Sequence, residues 1–331
     1  MDYFFVGVDV SQDTLDIAYW DDSLKQSFPL STVYSNDLKG IDQLVDHLKK
    51  ISHQRDLWIC FEHTGAYHLL LAQQLNSLKI SYSVVPALEI KRSLGITRGK
   101  NDKIDAIRIA EYASRNRIKL KKSEPKHHKL QIISSLLSTR NLLVKNNTAC
   151  KNHLKSLIKI NETTPVHRSI ESMKSQIQIM KKDVLKIEKE IKQIIHSCAE
   201  LKNTFSKITS IPGIGLLTAS TAMVHSDNFK NFQCARKFNS YCGLAPFEHR
   251  SGTSIRGKSR TSKLRNKELK RLFFTAALTS IRCDQQIKKY YQRKLKEGKH
   301  KMSVRNAVAS KLVARMFAVV NRDEPYVKLT Y

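Results

Sequence analysis

The chain has 331 residues, 41% of them hydrophobic, enough to bury more than one core, so two domains and a connector are expected. Its 58 Lys and Arg against 29 Asp and Glu leave a formal net charge of +29, a field that draws phosphate backbones through counterion release regardless of base sequence. No run of about 18 apolar residues offers a membrane span, and six scattered cysteines without a Cys-x-x-Cys pair argue against a zinc ribbon or a disulfide framework.

Met1-Asp2-Tyr3 lacks the basic region and cleavage site of a signal peptide, and the cysteine usage fits a reducing cytoplasm. Residues 1 to about 120 read as an α/β domain. The apolar run from Tyr3 to Val8 is a first strand, followed by Asp9. Ser11-Gln12-Asp13 makes a turn, Leu15 to Trp20 alternates as a second strand, and a short third strand near Gln26 to Pro29 completes an antiparallel meander. Asn36 is placed to cap an amphipathic helix bearing Leu38, Ile41, Leu44, Val45 and Leu48. The run from Leu57 to Phe61 reads as a buried strand leading to Glu62. A helix from about Tyr67 to Leu78, a strand from Tyr82 to Val85 and a helix from about Asp102 to Ser114 follow. Three strands, then strands alternating with helices, is the order of a ribonuclease H-like (RuvC-like) domain. Open α/β sheets gather their sites at the carboxyl ends of strands, where Asp9 and Glu62 fall.

Asp102 and Asp105 are three apart, so one helix face carries both. An isolated Asp after a strand is usually a turn or cap residue. Four carboxylates in this order, on these elements, are instead a donor set for hard divalent ions, which need several converging oxygens. Two such ions roughly 4 Å apart stabilise the attacking and leaving oxygens of a phosphodiester displacement. Gly7-Val8-Asp9-Val10-Ser11 would also suit the first phosphate loop of an actin-like ATPase, but the further Gly-rich turns of that fold are missing.

Residues 126–201 form a basic helical connector. Ile170, Met173, Ile177, Met180, Val184, Ile187, Ile191, Ile194, Cys198 and Leu201 step by three and four, a coiled-coil seam. An earlier helix with Leu130, Ile133, Leu137 and Val144 ends near Thr163-Thr164-Pro165. Pairing of the two helices within one chain and dimerisation both satisfy the seam. Lys145, Lys151, Lys155 and Lys159 suit a grip on nucleic acid; a plain spacer is the simpler role.

Residues 205–325 read as a mainly α-helical third domain. Ile211-Pro212-Gly213-Ile214-Gly215 before an apolar stretch looks like a helix-hairpin-helix, in which Gly213 and Gly215 let backbone approach a phosphate; an ordinary helix–helix turn has the same pattern. From Phe247 to Arg265 an exposed loop over phosphate is expected, carrying Arg250, Arg256, Lys258, Arg260 and Lys263. Between Arg250 and Lys311, 19 basic residues face three acidic ones, which points to a nucleic-acid surface. Phe273 and Phe274 belong to the core of the helix from about Asn266 to Ile281 rather than to a base-stacking platform.

Together these residues resemble the DEDD transposases of bacterial insertion sequences, the "one-ten" family, whose relatives include a pilin-gene invertase. The resemblance covers nearly the whole chain. It rests on Gly7-Val8-Asp9-Val10-Ser11, Glu62-His63-Thr64-Gly65, Asp102-Lys103-Ile104-Asp105-Ala106, Ile211-Pro212-Gly213-Ile214-Gly215, and Gly243-Leu244-Ala245-Pro246 with Ser251-Gly252 beyond. It implies a site-specific DNA recombinase of the cytoplasm and nucleoid, with Asp9, Glu62, Asp102 and Asp105 binding Mg²⁺ and Ser251 as nucleophile. It also implies a structured guide RNA that pairs with donor and target DNA, and a dimer or tetramer with composite active sites. From the residues alone Ser254 competes with Ser251, and either can be a loop or capping serine. A serine hydroxyl needs activation to attack a phosphodiester. Arg250 and Arg256 would offset transition-state charge, and His249 suits proton transfer or a phosphate contact. Two other classes remain: a metal-only, structure-selective endonuclease such as a junction resolvase, and a non-catalytic nucleic-acid scaffold, against which the intact tetrad counts.

Overall fold

Period-two alternation organises the first unit. Along β1 (Tyr3–Val10), Phe4, Val6, Val8 and Val10 enter one apolar core, while Phe5, Gly7 and Asp9 belong to the opposite face. The computed structural model describes residues 3–63, 65–93, 95, 101–125, 127–251 and 255–327. They divide into two units, residues 1–125 and 126–331.

In the first unit β1 is followed by β2 (Thr14–Asp21), β3 (Gln26–Pro29), β4 (Tyr34–Ser35), α1 (Leu38–Ile51), β5 (Asp56–Glu62), α2 (His68–Ser77), β6 (Ser81–Val85), α3 (Ala87–Ser93) and α4 (Asp102–Arg115). The sheet is mixed, ordered β3-β2-β1-β5-β6 with β4 paired to β2. β1 runs antiparallel to β2 and parallel to β5, and β5 runs parallel to β6. One face packs on α1 and α2 through Ile41, Leu44, Leu71 and Leu75; the other carries α4 through Ala106, Ile109, Ala110 and Ala113. Strand and helix placement follows the apolar periodicity, with four differences. Asp9 lies inside β1, not after it. The two-residue β4 and the helix α3 are additional elements, too short to show a period in the sequence. Asp37, not Asn36, caps α1 by accepting from Gly40 N at 2.7 Å. Asn36 instead donates to Ser11 O and Tyr67 O, tying two loops together, and Leu38, at 55% exposure, stays outside the core.

The second unit begins with two long helices, α5 (His128–Ile160) and α6 (His167–His196), and these pair with each other as an antiparallel hairpin within one chain. Arg140 Nε to Glu188 Oε1 at 2.7 Å and Asn147 Nδ2 to Ile177 O at 3.3 Å set the register. The seam departs from the heptad reading at its C-terminal end. Ser197 and Cys198 interrupt the helix, so Leu201 belongs to α7 (Ala199–Thr209). Val144 is 39% exposed while Asn147 is buried, and Ile195 rather than Ile194 is fully buried, because a straight helix drifts against a 3.5-residue repeat. α8 (Leu216–Ser226), α9 (Ala235–Tyr241), β7 (Pro246–Ser251), β8 (Ile255–Thr261), α10 (Lys267–Cys283), α11 (Gln285–Lys296) and α12 (Lys301–Arg322) follow. Leu130, Ile133, Ile191 and Ile195 from the base of the helical hairpin share one core with Phe238, Phe273, Leu312 and Met316. Phe273 is fully buried, as its pattern indicates.

Burial of Ile191 in that common core sharpens the effect of charging the seam. Ile187→Asp with Ile191→Asp is expected to destabilise the second unit by several kcal/mol, since each carboxylate loses water without gaining a partner. Circular dichroism melts check this: an unchanged midpoint would remove Ile191 from the core. Among the described residues, no helix is long and apolar enough to cross a membrane.

Candidate active site and nucleic-acid interface

Three carboxylates stand side by side on adjacent strands. Asp9 pairs in register with Asp16 on β2, and one step beyond the Val8–Phe61 pair it reaches the level of Glu62 at the end of β5. Alternation gives all three the sheet face that α4 covers, because Ala18 beyond Asp16 and Cys60 before Glu62 join the packing on that side. The first turn of α4 adds Asp102 and Asp105; Asn101 caps that turn by accepting from Ile104 N at 2.7 Å. Asp105 Oδ1 also accepts from Arg108 Nη1 at 2.9 Å, which offsets part of the negative charge.

The electrostatics bind the five groups together. Burial raises Asp9 from 3.8 to about 6, helped in turn by the charges of Asp105, Asp102, Glu62 and Asp16. Asp16 is raised as well, by burial and then Asp102, while Lys103 opposes the shift. Five carboxylates in one field repel one another until a cation joins them, and an all-oxygen donor set suits a hard divalent ion. Among the described residues, no three Asp, Glu, His or Cys side chains already converge on a single ligating point. The donor chemistry fits a divalent ion.

Asp16 and Gly7 are the participants that sequence reasoning missed. Extending the alternation across the Ser11–Asp13 turn would have found Asp16. Gly7 has no local signal: a methyl group there would overlap the backbone of Ala106 and Ala110, so only glycine lets α4 lie this close to β1. Gly7→Ala is expected to push α4 off the sheet, costing about 1–3 kcal/mol by overpacking and separating Asp102 and Asp105 from Asp9. Thermal melts with and without divalent ion should show lower stability and a smaller ion-induced shift. A wild-type response in both would refute the close-approach argument.

In the second unit the stretch expected as a loop is an antiparallel hairpin. β7 and β8 pair Phe247 with Arg260, Arg250 with Arg256 and Ser251 with Ile255, with an irregularity between Phe247 and His249. Ser251 is the last residue of β7. Gly252, Thr253 and Ser254 lie outside the described residues, as does Thr64 of the Glu62 motif. Arg256, Lys258 and Arg260 occupy alternate positions of β8, and Arg250 pairs in register with Arg256. Arg260 and Lys263 are exposed.

The two motif glycines separate. Gly213, with φ of 97°, turns the chain between α7 and α8 against α10, where a side chain would meet Ala276 O at 2.7 Å and Ser280 N at 2.9 Å; it is occupied by packing. Gly215 is exposed, precedes α8 and has open space around it, which leaves the first amides of that helix accessible.

Two family models match the chain. One, of DEDD type for IS110 and described as "Transposase", covers residues 6–161. The other, described as "Transposase IS116/IS110/IS902 family", covers residues 206–292. The pilin gene-inverting protein of Moraxella lacunata is 29% identical over 98% of both chains, and that of Moraxella bovis 28% identical over the same share. The transposase for insertion sequence element IS1111A of Coxiella burnetii is 24% identical over 70% of this chain and 69% of its own.

Proposed function

The chain belongs to the IS110-type family of DEDD insertion-sequence transposases and is a DNA transposase or recombinase, and from that premise we propose that it breaks and rejoins DNA strands through a phosphoserine bond. The first unit then acts as a ribonuclease H-like domain in which Asp9, Glu62, Asp102 and Asp105 hold divalent ions, a use that the DEDD family implies, with Mg²⁺ as the ion in the cell. Such ions supply positive charge at the attacking and leaving oxygens of an in-line displacement. The observation that carries this reading is the gathering of carboxylates on one sheet face, Asp9 level with Asp16 and Glu62 on adjacent strands and Asp102 and Asp105 in the first turn of α4, a donor set that suits hard divalent ions.

Ser251 supplies the nucleophile. Its Oγ loses a proton and bonds to phosphorus, while one bridging oxygen of the DNA leaves that phosphorus and takes up a proton. Attack by the freed hydroxyl of another strand reverses the exchange and regenerates the serine. One phosphoester replaces another at each step, so rejoining needs no ATP. Arg250 and Arg256 steady the phosphate, with Lys258, Arg260, Lys263 and the amides beyond Gly215 holding the flanking backbone. Assembly into an oligomer brings the serine of one protomer to the carboxylates of another.

The guide is a structured RNA, gripped in part by the exposed Lys145, Lys151, Lys155 and Lys159 along α5. Sequencing RNA copurified with the full-length protein tests this. One short species is expected, enriched over a variant with all four lysines changed to Gln. A mixture following cellular abundance, alike in both proteins, would remove the guide from the mechanism.

A further inference from the structure

At the foot of the β7–β8 hairpin, Arg265, Lys267, Lys270, Arg271 and Arg305 line a cavity of about 370 Å³ around Phe274. Among the described residues none of the five is paired with a carboxylate. The only acidic side chain nearby in sequence, Glu268, accepts from Asn141 Nδ2 at 2.6 Å instead. Their partners are neutral. Lys270 Nζ donates to Gly243 O at 2.7 Å and Thr261 Oγ1 at 3.1 Å, Arg265 Nη1 to Ser262 O at 2.9 Å, and Arg305 Nε to Phe274 O at 2.9 Å. Lys270 and Arg305 both lie over the Phe274 ring, at 5.4 and 5.2 Å from its centroid. That ring is covered by cations and offers no platform for a base. What the cavity presents is concentrated positive charge without its counter-charge.

We propose that this cavity is a phosphate pocket that takes one backbone phosphate of the DNA strand running to Ser251. The inference rests on the functional reading above. DNA is favoured over RNA because Lys270 bonds the last residue of β8, so the pocket is anchored to the ribbon that carries Ser251. From Ile255 to Thr261 the ribbon extends about 20 Å at roughly 3.3 Å per residue, close to the axial rise of about six nucleotides. A strand gripped here is held in register about half a duplex turn from the serine. Lys270 is a positioning residue: it joins the turn before β7 to the end of β8.

The test uses full-length protein and a random-sequence 30-bp DNA duplex, with binding followed by anisotropy across salt concentrations. Arg271→Gln, at an exposed position, and Arg305→Gln are each expected to weaken binding roughly 10-fold at 0.1 M salt and to flatten the log–log salt slope by about one. Arg305→Lys should keep the slope while losing part of the affinity, since charge survives but the fork does not. Unchanged slopes in Arg271→Gln and Arg305→Gln would overturn the pocket alone. Losses confined to an RNA duplex of the same sequence would overturn its assignment to DNA. Failure of the wild-type protein to bind DNA would sink the functional reading together with this one.

Discussion

Changing Asp9 to Asn, or any of Glu62, Asp102 and Asp105 to Ala, is expected to lower strand cleavage by at least 100–1000-fold, roughly the loss seen on removing one electrostatic stabiliser of a transition state. DNA binding should survive, because a chain with a net charge of +29 loses no attraction for phosphate when a carboxylate goes. Stability moves the other way. Asp9 has a folded-state pKa of about 6, above its ordinary 3.8. Between those values the folded chain binds the proton more tightly than the unfolded one, so stability in chelator falls as pH rises through roughly 4 to 6. At neutral pH the charged Asp9 is a strained group, and Asp9→Asn should melt higher than wild type by about 1–2 kcal/mol after discounting for solvent screening. Divalent ion should then stabilise wild type and leave the variant nearly unmoved. Full cleavage by Asp102→Ala, or a wild-type ion response in Asp9→Asn, would contradict the ligand assignment.

Ser251→Ala should eliminate both strand breakage and any covalent protein–DNA adduct while the ion-induced rise in melting temperature persists. A nick near the cleavage point blocks rejoining and should trap the adduct on wild type. Mass spectrometry of the peptide spanning Arg250 to Arg256 should find the phosphodiester on Ser251. Ser254→Ala should retain it. A metal-only nuclease behaves oppositely: water attacks, no adduct forms and Ser251→Ala still cuts. A phosphodiester on Ser254 would move the nucleophile three positions along the chain. Loss of cleavage in Ser251→Ala without any adduct in wild type would leave the serine a binding role only.

Local features are legible in the amino-acid order alone. Apolar runs located β1, β5 and β6, alternation located β2, and a helix was legible from about Asp102 to Ser114, so the segments that carry Asp9, Glu62, Asp102 and Asp105 could be read without coordinates. Charge density beyond Arg250 was equally legible, since it is a property of composition. Tertiary structure decided whatever depends on two segments meeting. The Asp9–Asp16 pairing follows from strand register, and Gly7 matters only because α4 presses on it. The polar stretch after Pro246 became a hairpin because cross-strand hydrogen bonds, invisible in a hydropathy pattern, outweighed its lack of apolar residues. Gly213 turned inward because α10 packs against it. In the helical hairpin, side-chain spacing gave the seam, but the break at Ser197–Cys198 and the burial of Ile195 came from its base joining the core of α7 to α12. Periodicity records which face of an element is buried; which residue is opposite depends on register and approach distance, and these are settled only when distant segments pack.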